Sequence, residues 1–144
     1  MPEQQNYENH ARYFPLFHFV LAPLLFLNFF YQAFRLYQEA SLDRLVFTIL
    51  SFGFICMIVA ARMQAVKAQD RVIRLEELLR YREILPADIA ARAADLRVPQ
   101  LIALRFAADG ELSDLVRRTC DKELNTPKEI KLAVKNWRGD YHRV

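Results

Sequence analysis

The sequence predicts an all-α integral membrane protein: a two-helix transmembrane hairpin, a cytosolic extension of the second helix and a small helical C-terminal domain. Three observations predict this. Long apolar runs lie before residue 62, charge concentrates after it, and only three Gly and short β-branched runs occur in the chain, so helix is the default conformation.

Averages conceal that segregation. Charged residues make up 26% of the 144 positions and the net charge is +3, values that suit a soluble protein. Residues 1–44, however, hold three Arg and four acidic residues, whereas 45–144 hold the other 17 basic and 13 acidic ones. The basic excess is too small to argue for nucleic acid, and no nucleic-acid partner is expected.

Residues 1–13 read as a polar N-terminal arm and 14–61 as the hairpin, with helices at about 14–35 and 42–61. Phe14 to Phe34 contains no formally charged residue, and its 21 positions reach ~31 Å, close to a ~30 Å bilayer core. The second run, Leu45 to Ala61, is shorter, and the stems of Arg44 and Arg62 can lengthen it. A signal peptide fits the first run poorly, because Glu3 and Glu8 offset Arg12 and no small-x-small cleavage site follows. The short connection Arg35–Arg44 makes the helices antiparallel. Six basic residues flank the hairpin on the side of its two ends (Arg12, Arg62, Lys67, Arg71, Arg74, Arg80), against Arg35 and Arg44 in the loop. Both termini are therefore expected in the cytoplasm.

Polar residues within the apolar runs are the first candidate contacts. On a helical wheel His18, Asn28 and Gln32 fall within about 80° of one another, and Thr48 and Ser51 share a narrower stripe with Arg44 and Arg62. Polar groups facing lipid are costly, so these stripes are expected to face each other or another subunit, as helix–helix contacts or as a path for a ligand or ion. Pro23 lies mid-run, removes one backbone bond and is expected to kink the helix.

No Gly or Pro interrupts Ile55 to Leu85, so the second helix should continue through 62–85 as a cytosolic amphipathic helix. Ala65, Ala68, Val72, Leu75 and Leu79 follow coiled-coil spacing, open either to packing against the tail or to self-association. Asp70–Arg74 and Glu76–Arg80 have the i,i+4 spacing of supporting ion pairs. Residues 86–144 form the C-terminal domain, with helices near 87–95, 99–107, 110–124 and 127–138 started by Pro86, Pro99 and Pro127 and, for the last, stopped by Gly139. Thr126 to Glu129 is a capping box. Leu101, Leu104, Phe106, Leu112, Leu115, Val116, Leu124, Ile130, Val134 and Trp137 are the candidate core, too small to stand without the 62–85 helix.

A 127–138 helix would place Lys128, Lys131, Lys135 and Arg138 within about 80° of arc, with Ile130, Val134 and Trp137 on a separate face. Those four cations and Trp137 are the candidate contacts to anionic lipid or a protein partner, against the plainer reading of a solvated face.

Chemical signatures are missing: the sequence holds no glycine-rich phosphate loop, CxxC, HExxH or GxSxG. No catalytic residue, cofactor or metal site is expected. His10, His18 and His142 are scattered, and His10 and His18 could ligate a metal or haem only with partners brought near by folding. Cys56 and Cys120 do not make a disulfide framework.

The chain resembles a family of small bacterial membrane proteins catalogued only as a domain of unknown function. The resemblance is carried by QNYENH (Gln5–His10), VKAQDRVIRLEELLR (Val66–Arg80), QLIALRFAADGEL (Gln100–Leu112) and KNWRGDYHRV (Lys135–Val144), and it extends over nearly the full length. It implies a bacterial inner-membrane location and brings no known activity, cofactor or catalytic residues. The function expected is that of a membrane-anchored interaction or scaffold protein, as a homo-oligomer or with a membrane-protein partner. The alternative is a small channel, transporter-accessory or redox subunit using the intramembrane polar stripe.

Overall fold

A computed structural model of the chain describes residues 6–9 and 13–140. Among the described residues there are six α-helices, one π-helical segment and no strand. The chain divides into two units, Tyr13–Val66 and a second built on Lys67–Arg143. Most of the polar arm, His10 included, lies outside the described residues. Asn6–Asn9 is a turn in which the Asn6 side-chain carbonyl accepts the N–H groups of Glu8 (2.8 Å) and Asn9 (3.1 Å).

The first unit is a hairpin. After Pro15 the chain enters a π-helical segment, Leu16–Leu21, and continues as α1, Ala22–Gln38. Before Pro23, where a kink is expected, the helix widens into this π-helical segment. Proline has no N–H for the i→i−4 ladder and its ring presses on the carbonyl one turn back, so the preceding turn widens. The Ala22 N–H reaches Phe17 O, five residues back. α1 runs three residues past the expected end and stops where Glu39 is extended (φ −141°, ψ 94°). Ser41 then caps α2, Leu42–Ile84, its hydroxyl accepting the Arg44 N–H at 3.3 Å. Contacts between Phe29 and Phe52 (ring centroids 5.9 Å) and between Phe17 and the Arg62 guanidinium (5.7 Å) pair rising with falling residue numbers, which makes the two helices antiparallel. Leu16–Gln38 and Leu42–Ile84 are both long and apolar enough to cross a membrane by length and composition.

The second unit begins within α2, a single helix of 43 residues. Ile73, Glu77, Tyr81 and Leu85 are buried at spacings of four, the inward face of its last three turns. Pro86 ends α2 and precedes α3, Ala87–Ala93; the residue before a proline is biased away from the helical region. α4 (Val98–Leu104), α5 (Asp109–Cys120) and α6 (Pro127–Ala133) follow. The core gathers Tyr81, Leu85, Ile89, Leu101, Leu104, Leu112, Val116 and Ile130, with Trp137 packed against it. The expected core residues are therefore inside, and Tyr81 and Leu85 at the end of α2 join them.

Four helix ends of this unit differ from expectation: α3 stops at Ala93, not 95, and α4 at Leu104, not 107. α5 stops at Cys120, not 124, because Lys122 takes the left-handed conformation (φ 62°) and the Glu123 N–H turns back to Arg118 O (2.9 Å). A Schellman-type stop is thus made without glycine. α6 starts at the expected capping box, with Glu129 N–H on Thr126 Oγ1 (3.2 Å) and Thr126 N–H on Glu129 Oε2 (3.1 Å). It ends at Ala133, however, six residues before Gly139, and Val134 is extended. The Glu111 carboxylate, in the first turn of α5, accepts the N–H groups of Lys135 (3.1 Å) and Asn136 (2.9 Å). Ala107 and Trp137 form an antiparallel bridge, flanked by Ala108 N–H to Asn136 O (3.0 Å) and Arg138 N–H to Phe106 O (2.7 Å). These tertiary partners take up backbone groups of the segment that would have formed the next helical turn.

Candidate functional site

In the first unit Thr48, Ser51 and His18 hydrogen-bond within their own segments. The Thr48 hydroxyl donates to Arg44 O and the Ser51 hydroxyl to Thr48 O, both at 2.8 Å. Ser51 is buried, Gln32 is half-buried and Asn28 is exposed on α1. His18 is half-buried, its Nδ1 at 3.0 Å from Phe14 O and its ring edge-on to Tyr13 and Phe17. The five sequence candidates thus fall on the two helices of the hairpin, but Thr48 and Ser51 return to their own helix and do not reach across it.

The basic stripe is corrected by the early end of α6. Lys128 and Lys131 are on the helix, whereas Lys135, Trp137 and Arg138 are on the extended segment after it, so the four cations share no helical face. Lys131 and Arg138 take separate roles beside Trp137. The Lys131 ammonium is 5.6 Å from the Phe106 ring centroid, Trp137 stacks on Phe106 at 5.0 Å, and Arg138 pairs with Glu77 at 3.6 Å.

Glu77 is the centre of the arrangement that the sequence reading missed. It projects from the inward face of α2 between Ile73 and Tyr81 and is 5% exposed. Arg80, one turn on, donates to Glu77 Oε2 (3.2 Å), to Asp109 Oδ1 through Nε (3.0 Å) and Nη2 (2.5 Å), and to Ala107 O (2.7 Å). Arg80 therefore turns to Glu77, not to Glu76 as the i,i+4 spacing predicted. The Arg105 guanidinium lies over the Phe106 ring at 4.3 Å and pairs with Asp140 at 2.9 Å. Three arginines from α2, from the end of α4 and from the C-terminal segment are thereby interleaved with three carboxylates.

Burial governs the protonation of this cluster. Loss of solvent raises the Glu77 carboxyl above its ordinary range, and the charges of Arg80 and Arg138 offset that only in part. Burial beside Glu77 likewise pushes the Tyr81 phenol well above its ordinary value. Asp109, at the exposed edge, is lowered by its hydrogen bonds from Arg80. The signal for Glu77 was present in the sequence: it continues the Ile73, Tyr81, Leu85 spacing, and an acidic residue at a core position requires cationic partners.

The cluster forms one wall of an open cleft of about 620 Å³, whose lining includes Glu76, Leu79, Glu83, Arg138 and Asp140. A second, of about 440 Å³, is lined by Arg97, Gln100, Cys120 and Asn125 among others. Cys56 and Cys120 are both free thiols, and burial raises the Cys120 thiol above its ordinary value, which makes it a poor nucleophile. Among the described residues no group of three or more His, Cys, Asp or Glu could hold a metal ion. The arrangement is a mixed-charge mouth over a largely buried ionic base.

These features define an all-helical protein in which two long apolar helices accompany a compact helical unit built around a buried ionic cluster. The chain belongs to a family of unknown function (DUF6526), which matches it over residues 1–144. No curated protein and no solved structure matches it.

Proposed function

We propose that this chain is a membrane-anchored interaction protein of the bacterial cytoplasmic membrane. The hairpin spans the bilayer, both termini face the cytoplasm, and the helical unit binds a partner there through the mixed-charge cleft. The single observation that carries the reading is where the apolar surface lies. None of the most apolar window of Leu16–Gln38 is buried within the protein, and 11% of that of Leu42–Ile84 is. A core helix of a water-soluble protein would be covered by its own chain. Each large apolar side chain left in water forgoes about 1.5–3 kcal/mol, so a surface of this kind requires lipid or protein around it.

The excess of basic residues near the hairpin ends supports the cytoplasmic orientation. The burial of Ser51 favours a helix-packing role for the polar stripe over a conduction path. Alkaline carbonate extraction of bacterial membranes carrying the full chain tests the anchor. The protein should stay in the pellet and leave it only with detergent; release at high pH would overturn the reading.

A further inference from the structure

α2 presents two opposite faces in its last turns, and only one is used within the chain. At about 100° per residue, Ile73, Glu77, Tyr81 and Leu85 centre on one side of the helix, and Ala65, Ala68, Val72, Leu75 and Leu79 centre about 180° away. The first face is buried. The second is exposed along its length, with Val72 at 53%, Leu75 at 64% and Leu79 at 59%. Of the two uses the sequence left open for this seam, packing on the tail is taken by the other face.

We propose that the seam is the interface of a parallel homodimer, two copies of α2 pairing as a short coiled coil beside the membrane. This rests on the membrane reading above and makes a second copy the partner; Glu76 and Leu79, which also line the cleft, set its rim against the end of the seam. The argument that the occupant is a second copy is charge complementarity. With Val72 and Leu79 at the a positions and Ala68 and Leu75 at d, Arg71 is at g and Glu76 at the following e; both are exposed. In a parallel pair the g flank of one helix meets the e flank of the other, so Arg71 faces Glu76 of the partner copy, twice by symmetry. In an antiparallel pair g meets g and e meets e, which sets Arg71 against Arg71 and Glu76 against Glu76 or Glu83.

The charges therefore select the parallel arrangement. Two copies inserted in one bilayer with the same topology can only be parallel, so the membrane and the flank charges impose the same orientation independently. Ala65 and Ala68 have small side chains that let the backbones approach closely at the end nearer the apolar run, while Leu75 and Leu79 supply the apolar anchors beyond. Confinement to the membrane raises the effective concentration, which compensates for a seam of about two heptads.

The test is disulfide cross-linking of the full chain in native membranes, with Cys56→Ser and Cys120→Ala removing the native thiols. Leu75→Cys should give a covalent dimer under mild oxidation, and Arg74→Cys, about 100° round the helix, should not. In nanodiscs the unmodified protein should have the mass of two chains. Arg71→Glu should weaken the dimer roughly tenfold, since two modest ion pairs become like-charge pairs, and Arg71→Glu with Glu76→Arg should restore it. Absence of the Leu75→Cys cross-link, equal cross-linking at Arg74→Cys, or a monomeric mass would overturn the dimer. If the pelleted chain resists alkaline extraction while any of these results is obtained, the anchor stands and the dimer alone fails. If extraction releases the chain, the anchor fails, and the cross-link then reports on the seam by itself.

Discussion

The two units use the same apolar residue types to opposite ends. In Tyr13–Val66 most Leu and Phe side chains of α1 are exposed and none on that helix is buried. In the unit built on Lys67–Arg143, residues of similar size such as Leu101, Leu104 and Phe106 are wholly enclosed. Apolar content alone does not separate these outcomes; pattern does. An unbroken run without charge has no polar side to turn to water, whereas helices of seven to twelve residues with one apolar face can close on each other. α2 contains both regimes in a single helix.

That contrast is sharpest for core truncations. Leu101→Ala or Leu104→Ala should destabilise the helical unit by about 2–5 kcal/mol, while Leu75→Ala should change the unfolding of that unit by less than about 0.5 kcal/mol. Thermal unfolding in a detergent that keeps the chain monomeric, followed by circular dichroism, measures the difference; equal effects would mean that the two faces of α2 are not distinct.

Glu77 comes next. Glu77→Ala leaves Arg80 and Arg138 without their shared carboxylate and should cost roughly 3 kcal/mol. Its pH dependence has a definite sign. The folded state holds the Glu77 proton more tightly than the unfolded chain, whose value is 4.5, so this group's contribution to stability falls as pH rises from below 4.5 through the raised folded value, then levels off. Asp109, which is lowered, drifts the other way, losing its contribution as pH falls below its ordinary 3.8. Glu77→Gln should remove the first drift and keep the second. A wild-type decline that persists in Glu77→Gln would place its origin elsewhere.

Smaller effects belong to the helix ends. Thr126→Ala should cost about 1 kcal/mol by opening the capping box of α6. Lys122→Gly should be neutral or stabilising by up to about 1 kcal/mol, since glycine occupies the left-handed region without the penalty of a side chain. Chemical denaturation of the full chain in micelles reads both, and a clear loss with Lys122→Gly would contradict the φ of 62°.

Much of this fold is legible in local sequence, because helix starts are local events. Pro86, Pro99 and Pro127 each mark one within a residue, and the uninterrupted stretch to Leu85 yields a single α2. The ends are not local. α6 stops because Glu111, more than twenty residues away, takes the N–H groups of Lys135 and Asn136. The basic stripe inferred from helical spacing dissolves with it. The ionic cluster was half-legible: the spacing of Ile73, Glu77 and Tyr81 marks the face, but Asp109, Arg138 and Asp140 are brought near only by the tertiary fold.

The central claim is that the hairpin crosses the membrane with its loop outside. Cysteine labelling in intact cells tests it most directly, with a membrane-impermeant thiol reagent and single-cysteine variants of a chain lacking Cys56 and Cys120. Ser41→Cys, in the connection between α1 and α2, should label strongly, while Ser113→Cys in α5 should label only after the membrane is opened. Labelling of Ser113→Cys but not Ser41→Cys in intact cells would contradict the orientation, and protection of both until lysis would contradict the spanning hairpin itself.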